Sequence, residues 1–315
     1  MNHHRKSELF PKNRVLRRTL YRLLLTAPSL PLAACNGDPE CVRGPITLTT
    51  ENIQLKPDGG VSCDTCPEHP EGAPLTSCGT RTPDGGTKYL SCSYITCSND
   101  GRRPEGLQEA HPHEGADCEL GALFAHVAWL EAASVPAFLR LADELAAHGA
   151  PEALVQAARR SAGDEVHHTR AMQALALRHG ARMPEVDIRP FEPRSLEAMC
   201  TENAVEGCVR ETFGALVTGW QARTAGDEEV RRALRPISRD ELRHAELAWA
   251  VDAWAAGRLT PAQRELLLQA RRETLSALEQ EVSSQTPPAR LVREAGVPSR
   301  EQALNLLQGL TVLVA

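Results

Sequence analysis

A chain of 315 residues in which 42% of side chains are hydrophobic can bury one large core and still leave residues for a smaller module. It carries 41 acidic against 35 basic residues, a formal charge of −6, and shows no clustered basic patch beyond residue 22. That balance argues against a nucleic-acid partner, because phosphate backbones are held by grouped Lys and Arg.

Residues 1–34 read as an export signal rather than as part of the fold. The first 22 residues hold seven Lys or Arg and one acidic residue, and 23–34 is an apolar stretch too short to span a bilayer as a helix. Pro28 and Pro31 interrupt that stretch. It ends in Leu32-Ala33-Ala34-Cys35, which resembles the bacterial lipoprotein cleavage box. The resemblance implies cleavage before Cys35, lipidation of that cysteine, and a protein anchored to a membrane of the cell envelope. Arg17-Arg18-Thr19-Leu20-Tyr21-Arg22 is similar to a twin-arginine export motif, a route that would carry a folded, metal-loaded protein; an ordinary basic leader has such paired arginines too. Without the signal the chain has 28 basic and 40 acidic residues, a formal charge of −12.

Residues 35–98 are rich in Pro, Gly, Thr, Ser, Asp and Cys and lack apolar periodicity, as expected of a small loop-and-strand module held by disulfides rather than by a core. Six of the ten cysteines lie between 41 and 97: Cys41, Cys63, Cys66, Cys78, Cys92 and Cys97. Cys118, Cys200 and Cys208 complete the set with Cys35. Cys63-Asp64-Thr65-Cys66 has the spacing of a zinc knuckle, but a four-thiolate site needs a second close pair, and Cys92 and Cys97 are five apart. An exported chain favours disulfides, whose pairing the sequence leaves open. Residues 99–116 form a polar linker containing His111 and His113.

From residue 117 to 257 the texture becomes Ala- and Leu-rich with helical periodicity. The first helix is expected over about 118–147, stopped by Gly149, and the second from Pro151 to about 178. Residues 181–193, with three prolines, make a crossover. The third helix is expected over about 195–223 and the fourth over about 227–256. In 258–315, Thr260-Pro261 starts a fifth helix, and Ser299 with Gln302 is a capping box for a short last one.

Asp-Glu-x-x-His occurs twice in this region, as Asp164-Glu165-Val166-His167-His168 and Asp240-Glu241-Leu242-Arg243-His244, 76 residues apart. Upstream glutamates stand at Glu131 and Glu206, at separations of 34 and 35. The stretch 141–165 aligns without gaps onto 217–241, so the bundle is a repeat of two hairpins. Glu131, Glu165 and Glu241 each sit within apolar helical stripes, where an ionised carboxylate loses several kcal/mol of hydration unless something replaces it. Two divalent cations would cancel four such charges, and imidazole with carboxylate suits iron or manganese better than magnesium. The third helix offers Glu206 or Glu211, about 140° apart on a regular helix. The apolar positions Val205, Val209, Phe213, Leu216, Val217 and Trp220 centre on Glu206, as does the repeat, although Glu202, Asn203 and Arg210 share its face. Asp164 and Asp240 are expected to receive the outer N–H of a histidine, each from the opposite hairpin.

On these residues, 117–257 resembles the ferritin-like superfamily of di-iron carboxylate proteins, and 240–244 is similar to the motif of ribonucleotide reductase small subunits and bacterial di-iron hydroxylases. The resemblance covers under half of the chain. It implies a mainly α fold, a ferritin-like four-helix bundle of two hairpins with a crossover. It also implies two iron (or manganese) ions held by Glu131, Glu165, His168, Glu206, Glu241 and His244. Such a site implies an oxidoreductase that meets dioxygen or peroxide, with an electron donor the sequence does not name. No tyrosine lies on the ligand stripes, which argues against radical generation. A storage shell would be obstructed by a lipid anchor and a front module; a scaffold with structural or absent metal is the non-catalytic alternative. Pro136 departs from the pattern: it removes a backbone hydrogen bond at about 3 kcal/mol and predicts a bulge or kink beside Glu131.

Overall fold

The computed structural model describes residues 18–19, 46–55, 61–62, 64–67, 75–81, 88–94, 102–107, 119–188 and 193–314. The expected signal apart from residues 18–19, and Cys35, Cys41, Cys63, Cys97, Cys118, His111 and His113, lie outside the described residues. Those described are mainly helical, with a small β portion ahead of the helices.

The front portion holds β1 (Ile46–Thr50), β2 (Gln54–Leu55), β3 (Val61–Ser62), β4 (Leu75–Arg81) and β5 (Tyr89–Tyr94). Antiparallel pairing gives one sheet in the order β1-β5-β4 and a two-stranded β2-β3 ribbon. Cys78 stands directly across from Cys92 in the β4–β5 register, and Cys66 is disulfide-bonded. Cys200 and Cys208 are buried free thiols, so the helices do not depend on them for cross-links.

The helices begin with α1 (Glu119–Ala147) and α2 (Glu152–Arg178), joined by a tight turn. Gly149 takes φ +68° there, and Ala150 N donates to Leu145 O at 2.8 Å, closing the end of α1. Pro136 does not end α1, whose helical run continues eleven residues beyond it to Ala147. The next helix runs on through three segments: α3 (Leu196–Glu202), a π-helical stretch (Asn203–Glu211) and α4 (Thr212–Thr224). It is followed by α5 (Glu228–Ala255), whose Asp227 cap accepts from Glu229 N and Val230 N, and which also tolerates an internal Pro236. The fifth and last expected helices are α6 (Pro261–Ser284) and α7 (Arg300–Val314). Thr260 with Gln263, and Ser299 with Gln302, make the reciprocal bonds of capping boxes.

Helix α1 is long and apolar enough to cross a membrane by length and composition, but 67% of its most apolar window is buried within the protein, as for a core helix. Three apolar clusters explain where it and its neighbours pack. One joins Leu123, Phe124, Met172, Leu234 and Ile237, with Leu291 of a short π-helical turn (Leu291–Ala295). A second joins Phe138, Leu141, Leu145, Leu154, Met199, Leu247 and Val251. Along α1, α2 and α5 these two layers are separated by the same kind of interval: Glu131 on α1, Glu165 and His168 on α2, Glu241 and His244 on α5. The polar groups thus share a plane between two apolar layers. The third cluster is separate, and packs Val209, Phe213, Leu216 and Trp220 against Leu278, Val282, Leu306 and Leu310 of α6 and α7.

Leu141 is wholly buried in the second layer, ten residues along its own helix from Glu131. Leu141→Ala is expected to lower stability by about 2–5 kcal/mol, read from urea unfolding, without changing any metal stoichiometry. A loss below about 1 kcal/mol would mean that this layer is loosely packed.

Candidate metal centre

Helical periodicity brings Glu165 and His168, three apart on α2, onto one inward face, and does the same for Glu241 and His244 on α5. Glu131, Glu165, His168, Glu241 and His244 are each no more than 2% exposed. One ligand atom from each of Glu131, Glu165, His168 and Glu241 lies within 4.8 Å of all the others, a group that could hold a metal ion. The detailed pattern is two-sided. Glu165 turns Oε2 to His168 Nδ1 at 3.4 Å and Oε1 to His244 Nδ1 at 3.1 Å. Glu241 turns Oε1 to His168 Nδ1 at 3.0 Å and Oε2 to His244 Nδ1 at 3.7 Å. Glu131 Oε2 lies 3.6 Å from His168 Nδ1. The two imidazole rings are 5.7 Å apart between centroids.

These atoms are close without being hydrogen-bonded. Both Nδ1 atoms, both oxygens of Glu165, Oε2 of Glu131 and Oε1 of Glu241 are buried and lack a hydrogen-bond partner. A buried polar group normally finds one, and six in a single plane call for a common explanation. Lone pairs converging on a metal ion would supply one. The chemistry of the donors, carboxylate oxygen and imidazole nitrogen, fits iron or manganese.

The outer edges of the histidines are satisfied. His168 Nε2 lies 3.3 Å from Asp240 Oδ2, and His244 Nε2 lies 3.3 Å from Asp164 Oδ2. Each aspartate therefore meets the histidine of the other hairpin. Arg243 spans the pair, with Nη2 3.0 Å from Asp164 and Nη1 2.6 Å from Asp240. Phe138 packs against the His244 ring at 4.9 Å. Both Nδ1 atoms are thereby aimed inward by the groups behind them.

The third helix requires a correction. Glu206 does not join the plane. Its neighbours are Arg210, 3.9 Å away at Nε, with Arg103 and Glu202 felt through their charge. Glu211 is the carboxylate of this helix that turns inward: it is 1% exposed, and its charge couples to His244, Glu241 and Glu165. Two physical facts explain the exchange. The apolar stripe centred on Glu206 is real, but it serves the third cluster, facing α6 and α7 rather than the other hairpin. In addition, the π-helical stretch 203–211 closes hydrogen bonds over five residues, so a wheel of 3.6 residues per turn misplaces everything across it. Both oxygens of Glu211 lack a hydrogen-bond partner. The residue facing it is Arg102, from the segment ahead of α1, whose Nη1 is 4.0 Å from Glu211 Oε2. Nothing in the sequence marks Arg102 as part of this region; Arg243 stood inside the second motif without an assigned task.

In the metal-free protein, protons balance these charges. Burial, followed by the Glu165 carboxylate, pushes Glu131 well above the ordinary carboxylate value. Burial opposes it, but Glu131 and the two histidines hold Glu165 below that value. Both imidazoles sit far above theirs: burial works against this, and the surrounding carboxylates outweigh it. Burial, partly offset by Arg102, pushes Glu211 from 4.5 up to about 8. The sign follows. A group whose value is raised on folding contributes stability at low pH, and that contribution is lost as pH rises through the folded value. Raised histidines and a raised Glu211 therefore make the metal-free fold weaken towards pH 8, while a metal competing with those protons binds more tightly. The cobalt-induced rise in Tm is expected to widen between about pH 6 and about pH 8 by calorimetry. A gap that narrows over this range would contradict the assignment.

Comparison of the chain with protein-family models, with curated proteins and with solved structures finds no match. The functional reading therefore stands on these residues and their geometry.

Proposed function

We propose that the bundle is a di-metal carboxylate centre of the ferritin-like kind, binding two iron ions (or manganese), and that the protein is an oxidoreductase acting on dioxygen or peroxide. The observation that carries this reading is the two-sided presentation by Glu165 and Glu241, each giving one oxygen to each histidine. It divides the plane into two half-sites with shared carboxylates. Glu131 and His168 would serve one, Glu211 and His244 the other, and Glu165 with Glu241 both. The apo charge pattern supports this, since two cations would replace the protons that the buried groups otherwise retain.

The chemistry a bound iron pair supplies is electron transfer to dioxygen or peroxide. The chain's residues set the conditions for it. Asp164 and Asp240 accept the outer N–H of the histidines and so fix which nitrogen faces inward. Arg243 holds both aspartates and ties the two hairpins together at the site. The apolar layers on either side keep bulk water out of the plane. All three tyrosines, Tyr21, Tyr89 and Tyr94, precede the helices, which supports oxidation of a separate substrate over a tyrosyl-radical role. Export and a lipid anchor at Cys35 remain part of the proposal on the strength of residues 17–35, with an electron donor of the cell envelope as partner.

The test is an anaerobic ferrous titration followed by admission of oxygen in an oxygen electrode. About two irons per chain and prompt oxygen uptake are expected, from a species of low native mass rather than a shell. Iron-free protein after dialysis, with helicity intact, would leave the scaffold reading instead.

A further inference from the structure

Arg102 is the one guanidinium that the described part of the linker buries in the bundle, and its surroundings are built to hold it in a single pose. Nε and Nη2 donate to the two oxygens of Glu202 at 2.8 and 2.7 Å, a bidentate clamp that fixes the plane of the group. Nη2 also reaches Asn203 Oδ1 at 3.3 Å, and Asn203 is itself tied to α5 through Nδ2 donating to Ala248 O at 3.0 Å. Ser134 Oγ, one turn beyond Glu131 on α1, donates to the Arg102 carbonyl at 3.0 Å. The guanidinium lies over the Phe138 ring at 5.9 Å, the same ring that packs on His244. Space for it is kept by Gly207: a Cβ there would lie 2.9 Å from Asn203 Oδ1, 2.7 Å from the Ala248 Cβ and 3.4 Å from Arg102 Nη1.

What remains is the third corner. Nη1 is buried, has no hydrogen-bond partner, and stands 4.0 Å from Glu211 Oε2, whose two oxygens have none either. An arginine clamped on two corners, with its third aimed at a carboxylate that has no hydrogen-bond partner among the described residues, directs that carboxylate. We propose that Arg102 is the positioning residue for Glu211, setting the direction in which its carboxylate faces and so completing the His244 half of the site. This rests on the di-metal reading. It gives the segment ahead of the bundle a part in the centre, because the half-site is fully shaped only when residue 102 is seated against Glu202. Arg194 shares the anchoring: its Nη2 is 3.5 Å from the Glu202 oxygen that binds Arg102 and 2.7 Å from Glu144.

The test is a cobalt(II) titration of the full chain, followed by visible absorption and by thermal unfolding, for the unaltered protein, Arg102→Lys, Glu211→Gln and the double variant. Lysine keeps the charge and loses the fork. Arg102→Lys is expected to bind one of two cobalt equivalents about ten-fold more weakly and to shift the ligand-field bands, while the other equivalent is unchanged. In the Glu211→Gln background, Arg102→Lys is expected to change neither affinity nor bands, because the carboxylate it directs is gone. Should Arg102→Lys fail to fold, Glu202→Gln, which frees the clamp and leaves Arg102 in place, carries the same expectation. Two equivalents bound by either folded variant with unaltered affinity and bands would overturn the proposal, as would an effect of equal size in the Glu211→Gln background. If the unaltered protein takes up no cobalt, the di-metal reading itself fails and this inference with it, an outcome distinct from the other two.

Discussion

Replacing Glu165 by alanine is expected to abolish metal loading at both positions rather than one. Its two oxygens face the two different histidines, at 3.4 and 3.1 Å, so the side chain belongs to both halves of the plane. Loss should exceed the roughly 10–100-fold weakening that removing an outer partner such as Asp164 brings. Glu131→Ala is the informative contrast: its oxygen approaches only His168 among the imidazoles, so about one equivalent should survive. Metal analysis after dialysis reads both. The apo proteins should remain helical, because the apolar layers on either side of the plane are untouched. Two equivalents retained by Glu165→Ala would break the link between the duplicated motifs and metal binding.

Glu211→Gln is expected to make the metal-free protein more stable and the metal-treated protein less so. Burial raises this carboxyl from 4.5 to about 8, so at neutral pH the native state retains a proton that the unfolded chain releases. The sign is unambiguous: this native-state penalty is absent below about pH 4 and grows as pH rises towards 8. A neutral amide of the same shape removes it, for a gain of about 1–3 kcal/mol at pH 7 that vanishes in acid. Under the proposed di-metal reading the same substitution also removes a ligand, so the stabilisation by metal should drop. Glu206→Gln provides the control. Glu206 pairs with Arg210 rather than with the histidines, and its replacement should leave the metal response as it was. A loss of metal response on Glu206→Gln, with none on Glu211→Gln, would restore the sequence-based choice of ligand.

That choice shows what the sequence could and could not tell. Helix ends were legible because they are local: glycine stops, capping boxes and a proline start act within four residues, and the observed boundaries fall within about two residues of the expected ones. The spacing Glu165 to His168, and Glu241 to His244, was legible because three residues along a regular helix share a face whatever the tertiary context. The cross-hairpin contacts of Asp164 and Asp240 follow from the same regularity applied to a pair of related hairpins. The third helix was misread for a non-local reason. It is buried on two sides, and an apolar stripe says only that a face is covered, not by what. Here α6 and α7 cover the Glu206 side. The π-helical stretch compounded this, since its winding leaves no distinct residue signature. Pro136 is expected to bulge or kink α1, and the helix runs on past it to Ala147, as α5 runs on past Pro236. Arg102 was invisible because its partners, Glu202 and Glu211, lie some hundred residues away in the chain.

In the proposed reading two cations occupy the plane between the apolar layers. Crystals of the protein soaked in manganese or ferrous salt, with data collected at the metal edge, decide whether they do. Two anomalous peaks are expected, one beside His168 and Glu131, the other beside His244 and Glu211, with Glu165 and Glu241 between them. An empty plane under saturating metal, or density at Glu206 instead, would contradict it.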